Sequence, residues 1–225
     1  MKSAIVLLSG GLDSATTLYF AISQGYRVHA LVFDYGQRHD KEIKCAVAVA
    51  KTARCPYEIV KISLPWKGSA LLDKSIKVPR RRKLDAKDIP VTYVPARNII
   101  FLSFAASYAE AVGAQKIFIG ANAIDYSGYP DCRPDFFAAY SKVLEKGLKT
   151  GVEGRKIKVE TPLVKKSKTD IIRLGLKLGV PYELTWSCYE GSRRPCGSCD
   201  SCRLRANGFL ELRLDDPVLR KFRTK

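Results

Sequence analysis

Short apolar runs alternate with apolar residues at helical spacing through the first two-thirds of the chain. Residues 4–8 form an apolar run that stops at Ser9-Gly10-Gly11, and residues 28–33, 58–62, 116–119 and 157–160 read as four further strands. Between them, residues 14–23, 40–53, 98–112, 136–148 and 167–178 read as helices. In the second of these, Ile43, Val47 and Ala50 recur at helical spacing; the third ends at Gly113, a natural left-handed terminator. Strands that alternate with helices predict an α/β, Rossmann-like fold: a parallel five-stranded sheet with crossover helices on both faces. Ligands of such sheets bind beyond the carboxyl ends of the strands, near the point where strand order reverses. The informative loops are therefore those that follow strands.

Two segments break the alternation. Residues 65–95 hold Pro65, Pro79, Pro90 and Pro95 and the run Arg80-Arg81-Arg82-Lys83, and predict a long excursion with the character of a flap. From about Pro181 the composition shifts to Cys, Arg, Gly and Ser, which predicts a main domain over 1–180 and a small C-terminal module over 181–225.

Composition narrows the class. The chain has 225 residues, 46% of them hydrophobic, enough for a core that needs no disulfides. No run approaches the ~18 apolar residues of a membrane span, and no signal peptide is visible, so the expectation is a cytoplasmic protein without a membrane partner. The formal charge of +17 fits a nucleic-acid partner, anionic small substrates or simply a cationic surface.

The loop after the first strand carries the strongest chemical signal. In Ser9-Gly10-Gly11-Leu12-Asp13-Ser14, two glycines let the backbone turn and approach a ligand, and the amides of the following helix point at an anion. Ser9 and Ser14 add hydroxyls. Asp13 would repel phosphate unless it holds Mg²⁺ or orients the loop. The bland alternative is a capped strand-to-helix turn. No Lys follows the glycines, so this is not the common nucleotide-binding P-loop.

Ser-Gly-Gly-x-Asp-Ser after an N-terminal strand resembles the pyrophosphate (PP) loop of the ATP pyrophosphatases, whose members release pyrophosphate after forming an adenylated intermediate. Three more segments narrow the resemblance: Phe33-Asp34-Tyr35-Gly36-Gln37-Arg38-His39, Val94-Pro95-Ala96-Arg97-Asn98, and the stretch from Gly120 to Pro134 that contains Asp125-Tyr126-Ser127-Gly128-Tyr129-Pro130-Asp131-Cys132-Arg133. With the terminal cysteines, they resemble the 7-cyano-7-deazaguanine synthase (QueC) family over nearly the whole chain.

That resemblance implies an adenine-nucleotide alpha-hydrolase-like fold and an ATP segment of Leu8, Ser9, Gly10, Gly11, Leu12, Asp13, Ser14, Ala15, Thr16, Thr17 and Leu18, with Ser9, Asp13 and Ser14 closest to the chemistry. A flat heterocyclic substrate needs aromatic faces and fixed polar groups at its edge. Tyr126 and Tyr129 offer faces. Asn122, Asp125 and Asp131 offer edge partners, and Arg97 or Arg133 offers a fork for a carboxylate or phosphate. Tyr35 and Gln37 join the substrate set. For any one of these residues, a turn-forming or packing role is an equal alternative, and His39 reads more readily as a packed residue.

Cys188, Cys196, Cys199 and Cys202 make a four-thiol set at structural-zinc spacing, and the family match points the same way. An iron–sulfur cluster or a redox pair are the rivals. The resemblance implies conversion of 7-carboxy-7-deazaguanine and ammonia to 7-cyano-7-deazaguanine, with ATP and Mg²⁺, a structural Zn²⁺ and a homodimeric enzyme. Its product serves 7-deazaguanine tRNA bases of the queuosine and archaeosine pathways, and nucleic acid is not itself required. The alternatives are a tRNA thiolase that uses the same loop and a non-catalytic zinc-binding adapter for nucleic acid, which would leave that loop unexplained.

Overall fold

The computed structural model describes residues 2–84, 88–124 and 128–222. The strands are β1 (Ser3–Leu7), β2 (Arg27–Asp34), β3 (Tyr57–Lys61), β4 (Lys116–Ile119) and β5 (Lys158–Glu160). They form one sheet in the order β3-β2-β1-β4-β5, with every neighbouring pair parallel. The helices are α1 (Leu12–Ser23), α2 (Lys41–Thr52), α3 (Arg97–Ala111), α4 (Pro134–Gly147), α5 (Lys149–Val152), α6 (Lys168–Lys177), α7 (Asp200–Glu211) and α8 (Pro217–Arg220). The five expected strands and five expected helices are all present, shifted by at most two residues at their ends. The sequence reading missed α5, α7 and α8.

The central strand shows why the pattern works. Ile5 and Leu7 face one side of the sheet with Leu31, Phe33, Ile117 and Ile119, and pack on Leu102 and Ala105 of α3 and Phe137 of α4. Ala4 and Val6 face the other side with Val28, Ala30 and Val32, and pack on Leu18 of α1, Val49 of α2 and Ile171 of α6. Strands buried on both faces read as continuous apolar runs, as parallel sheets require.

The chain beyond Pro181 divides its packing. Tyr182 and Phe209 are fully buried in the second of these cores. The Tyr182 hydroxyl lies 2.8 Å from Thr16 Oγ1 and donates to the Ile171 carbonyl. Trp186 and the cysteines form a separate apolar cluster with Ala70 and Val78 of the excursion.

The excursion is pinned rather than loose at several points. The Arg38 guanidinium donates to the carbonyls of Ala70 and Ile76, each at 3.1 Å. Its basic run lies against the cysteine segment: the Arg81 amide donates to the Ser198 carbonyl at 2.9 Å, Arg82 pairs with Asp200 at 3.8 Å, and Arg80 with Glu190 at 3.5 Å. Among the described residues no helix is long and apolar enough to cross a membrane.

Candidate active site and metal centre

One pocket opens beyond the carboxyl ends of β1, β2 and β4, where strand order reverses between β1 and β4. Its floor is the Ser9–Ser14 loop. That loop is closed by its own hydroxyls. The Ser9 amide donates to Ser14 Oγ at 3.1 Å, the Gly11 amide donates to Ser9 Oγ at 3.3 Å, and the Ser14 hydroxyl donates to the Gly11 carbonyl at 3.1 Å. Helix α1 begins with Gly11 as its N-cap and no side-chain cap. The first amide to find a helical acceptor is Ala15, which donates to the Gly11 carbonyl. The amides of Leu12, Asp13 and Ser14 thus have no acceptor among the described residues. With the positive end of the α1 dipole they make an anion seat.

Close packing fixes this seat. Gly10 sits at φ +81°, and a Cβ there would lie 2.1 Å from the Glu42 carbonyl oxygen of α2. Gly120, just past β4, lies so close to the start of α1 that a Cβ would be 3.0 Å from Asp13 and Ser14 backbone atoms. The Trp186 amide donates to the Gly10 carbonyl at 2.9 Å. Three distant parts of the chain therefore hold the loop.

Asp13 is not solitary. Lys168, at the start of α6, places its ammonium 2.7 Å from both carboxylate oxygens, and only 8% of Lys168 is exposed. The sequence reading missed this residue, because a lysine in Lys165-Lys166-Ser167-Lys168 looks like part of a solvated cationic run.

The upper wall is aromatic and cationic. Phe33 and Phe101 stack at 4.0 Å, Tyr35 meets Phe101 edge-on at 5.2 Å, and Tyr129 also lines the pocket. Arg97 opens α3 in the pocket wall. Burial works against its charge, but the Asp131 carboxyl nearby favours it, and the guanidinium stays ionised. Its predecessor Ala96 adopts φ 54°, a left-handed conformation unusual for alanine. The Tyr93 hydroxyl accepts the Ala96 amide at 3.1 Å, and Asp131 Oδ2 accepts the Asn98 amide at 3.0 Å. Asp131 thus caps α3 from another loop.

The substrate residues expected from sequence divide accordingly. Tyr35, Gln37, Arg97, Asn122 and Tyr129 line the pocket. Gln37 also clips its own turn, accepting the Tyr35 amide and donating to the Phe33 carbonyl. The Asn122 amide group donates to the Lys166 carbonyl at 2.6 Å. Asp131 is buried beneath the pocket in its capping role, and Arg133 is exposed at the start of α4 outside the lining. Asp125 and Tyr126 lie outside the described residues. Cys132 lines the pocket, but burial pushes its thiol up to about 12, so it carries almost no thiolate at neutral pH. His39 packs against the cysteine segment, with Nε2 2.9 Å from the Cys188 carbonyl oxygen.

The sulfurs of Cys188, Cys196, Cys199 and Cys202 all lie within 4.8 Å of one another. A tetrahedral ion with bonds of ~2.3 Å needs sulfurs about 3.8 Å apart, so a small contraction of this cluster closes on one ion. A four-iron cluster would hold its cysteines farther apart, across its own width. Backbone amides already aim at the sulfurs: Cys196 donates to Cys188 Sγ and Cys199 to Cys196 Sγ, each at 3.3 Å. Hydrogen bonds from Cys199 and Cys202 hold the Cys188 thiol well below its ordinary range, so the set readily presents a thiolate.

A family model described as queuosine biosynthesis protein QueC matches residues 3–213. The chain belongs to the QueC family. Among similar proteins, a 7-cyano-7-deazaguanine synthase of Nostoc punctiforme is 55% identical over 220 residues, 96% of this chain and 98% of that one. A 7-cyano-7-deazaguanine synthase of Thermoplasma volcanium is 54% identical over 218 residues, 96% of this chain and 90% of that one. Among solved structures, the NMN synthetase from Francisella tularensis matches with a TM-score of 0.51 at 16% identity, over 100% of this chain and 79% of that one. That likeness speaks for the fold of this QueC family member alone.

Proposed function

We propose that the chain is a 7-cyano-7-deazaguanine synthase that turns 7-carboxy-7-deazaguanine and ammonia into the nitrile with ATP, through adenylated intermediates. The observation that carries this reading is one pocket with two ends: an uncapped helix start for phosphates, and an aromatic slot closed by a charged arginine. The names of the relatives supply the substrate.

A carboxylate is a poor electrophile, because its oxygen is a poor leaving group. Transfer of AMP to that oxygen makes it a good one. The amides of Leu12, Asp13 and Ser14 receive the departing pyrophosphate, and Lys168 adds positive charge where negative charge develops. The Phe33–Phe101 stack and Tyr129 give the flat base aromatic contacts, and Arg97 holds its carboxylate toward the phosphate end. Ammonia displaces AMP to give the amide. A second adenylation, on the amide oxygen, allows loss of AMP and leaves the nitrile.

Mg²⁺ would neutralise phosphate charge if bound with the nucleotide, and Asp13, paired with Lys168, is the loop carboxylate that would hold it. Zinc is the ion proposed for the four thiols. Such a site has no open position, so the ion cross-links Cys188 to the start of α7 and supplies folding energy rather than catalysis. The segment 181–225 is then a metal-stapled module that also completes the main core. The exposed Ile99 and Phe104 of α3 support a homodimer. A cytoplasmic setting and a product destined for queuosine- or archaeosine-type bases complete the proposal.

The test is incubation with ATP, ammonium and the carboxylated base, without RNA. AMP and pyrophosphate release that depends on the base, with nitrile detected by mass, supports the synthase. Release only with tRNA and a sulfur donor would replace it with the thiolase.

A further inference from the structure

Two carboxylates line the pocket among the described residues, Asp13 and Glu42. Both oxygens of Asp13 are engaged by Lys168. Glu42 sits in the first turn of α2. Its backbone carbonyl abuts Gly10, so the residue borders the phosphate seat, while its side chain lies on the wall that also carries Arg97. Its carboxyl makes no hydrogen bond and no ion pair within 4 Å among the described residues. A carboxyl left uncommitted between a phosphate seat and the guanidinium that orients the reacting group is placed for proton transfer.

We infer that Glu42 is the general base of the nitrogen steps, taking the proton from the incoming ammonium and later from the adenylated amide. The inference rests on the synthase reading. In the first step an ammonium N–H proton passes to Glu42 Oε, and the freed nitrogen lone pair forms the C–N bond. The acyl C–O bond to AMP breaks, and AMP leaves with its electron pair. A second proton, from the tetrahedral or amide nitrogen, passes to solvent. In the second step adenylation of the amide oxygen leaves a cationic imidate with two N–H protons; one passes to solvent and the other to Glu42 Oε. The electron pair of the N–H bond completes the C≡N bond, and AMP again departs with the C–O pair. Each step is redox-neutral and returns Glu42 once the proton reaches solvent.

The surroundings suit this work. Burial pushes Glu42 up to about 7, and Arg97 pulls it back. Tyr35 at the end of β2 and Cys45 on α2 also face it. A base whose affinity for protons lies near the working pH is the effective one. The ionised form grows as pH rises through about 7, so the nitrogen steps should accelerate over that range at a constant ammonium concentration.

The experiment compares wild type with Glu42→Gln and Glu42→Asp, as full-length zinc-loaded protein. Two readouts are taken with the carboxylated base: pyrophosphate–ATP exchange without ammonium, and nitrile formation with it. For Glu42→Gln, nitrile formation should fall by ~100-fold or more and lose its rise with pH near 7, by the usual size of a general-base effect. Exchange needs no nitrogen nucleophile and should fall by less than about threefold. Glu42→Asp should recover part of the nitrile rate. Nitrile formation at the wild-type rate in Glu42→Gln, or equal loss of exchange and nitrile formation, would overturn the assignment. Wild-type protein without exchange on this base would instead defeat the synthase reading, and the role of Glu42 with it.

Discussion

Lys168 Nζ stands 2.7 Å from both carboxylate oxygens of Asp13, a residue 155 positions earlier in the chain. The pair spans the sheet's reversal point, joining the start of α1 to the start of α6. Lys168→Ala should lower kcat/KM for ATP by ~10²–10³-fold, since it removes a buried cation from the phosphate seat. Asp13→Ala should also lose turnover, and it should lose stability by about 2–4 kcal/mol, because it deprives a buried ammonium of its carboxylate. Chemical denaturation of both variants and of the double variant checks the coupling. Additive losses of stability would refute it.

Gly10→Ala should fail for two reasons that act together. The residue sits at φ +81°, and the added methyl would meet the Glu42 carbonyl at 2.1 Å. Separation of α2 from the loop should cost about 2–4 kcal/mol and abolish nucleotide binding. Calorimetric titration with a non-hydrolysable ATP analogue tests this; binding within threefold of wild type would contradict it.

The alternation of strands and helices was legible because a sheet buried on both faces leaves uninterrupted apolar runs such as Ala4 to Leu7. The Ser9–Ser14 loop was legible because its glycines and hydroxyls are contiguous. Lys168 and Glu42 were not, since each lies in the first turn of a helix whose sequence looks like an ordinary solvated charge pattern. The helix α7 escaped notice because Asp200 to Glu211 holds few apolar residues, and the cysteines drew the reading toward metal. The partners of Arg80, Arg81 and Arg82 are set by tertiary contacts with Glu190, Ser198 and Asp200, and nothing local encodes them.

The cysteine cluster should bind one zinc ion per chain, measured by atomic emission on colourless protein. Cys199→Ser should halve the zinc content or worse, and destabilise the fold by about 2–5 kcal/mol, the scale of a lost structural cross-link. Because Trp186 bonds Gly10, the KM for ATP should rise as well. Retained metal and melting temperature with lost turnover would make the cluster catalytic.

Glu42 also predicts a pH dependence of stability. Its folded-state affinity for a proton, near pH 7, lies above the ordinary value of 4.5. The fold therefore takes up a proton that the unfolded chain does not hold between those values, and stability falls as pH rises from about 4.5 to about 7. Glu42→Gln should be more stable than wild type at pH 8 by about 1–3 kcal/mol, and equal to it near pH 4.5. Urea midpoints at the two pH values decide it, and a constant difference would exclude Glu42 as the source.

Cys132→Ser should keep turnover within about threefold, since a thiol near 12 is no nucleophile at neutral pH. Iodoacetamide should label Cys132 slowly in native protein. Loss of turnover beyond 10²-fold with an intact fold would revive sulfur chemistry in the pocket.

The carbonyl of Gly10 waits for the amide of Trp186. During synthesis the glycine loop leaves the ribosome well before Trp186, and it gains this anchor only after the long stretch between them has followed. A chain cut short before Trp186 carries the glycine loop without a finished seat, so the loop's function depends on the segment that brings Trp186.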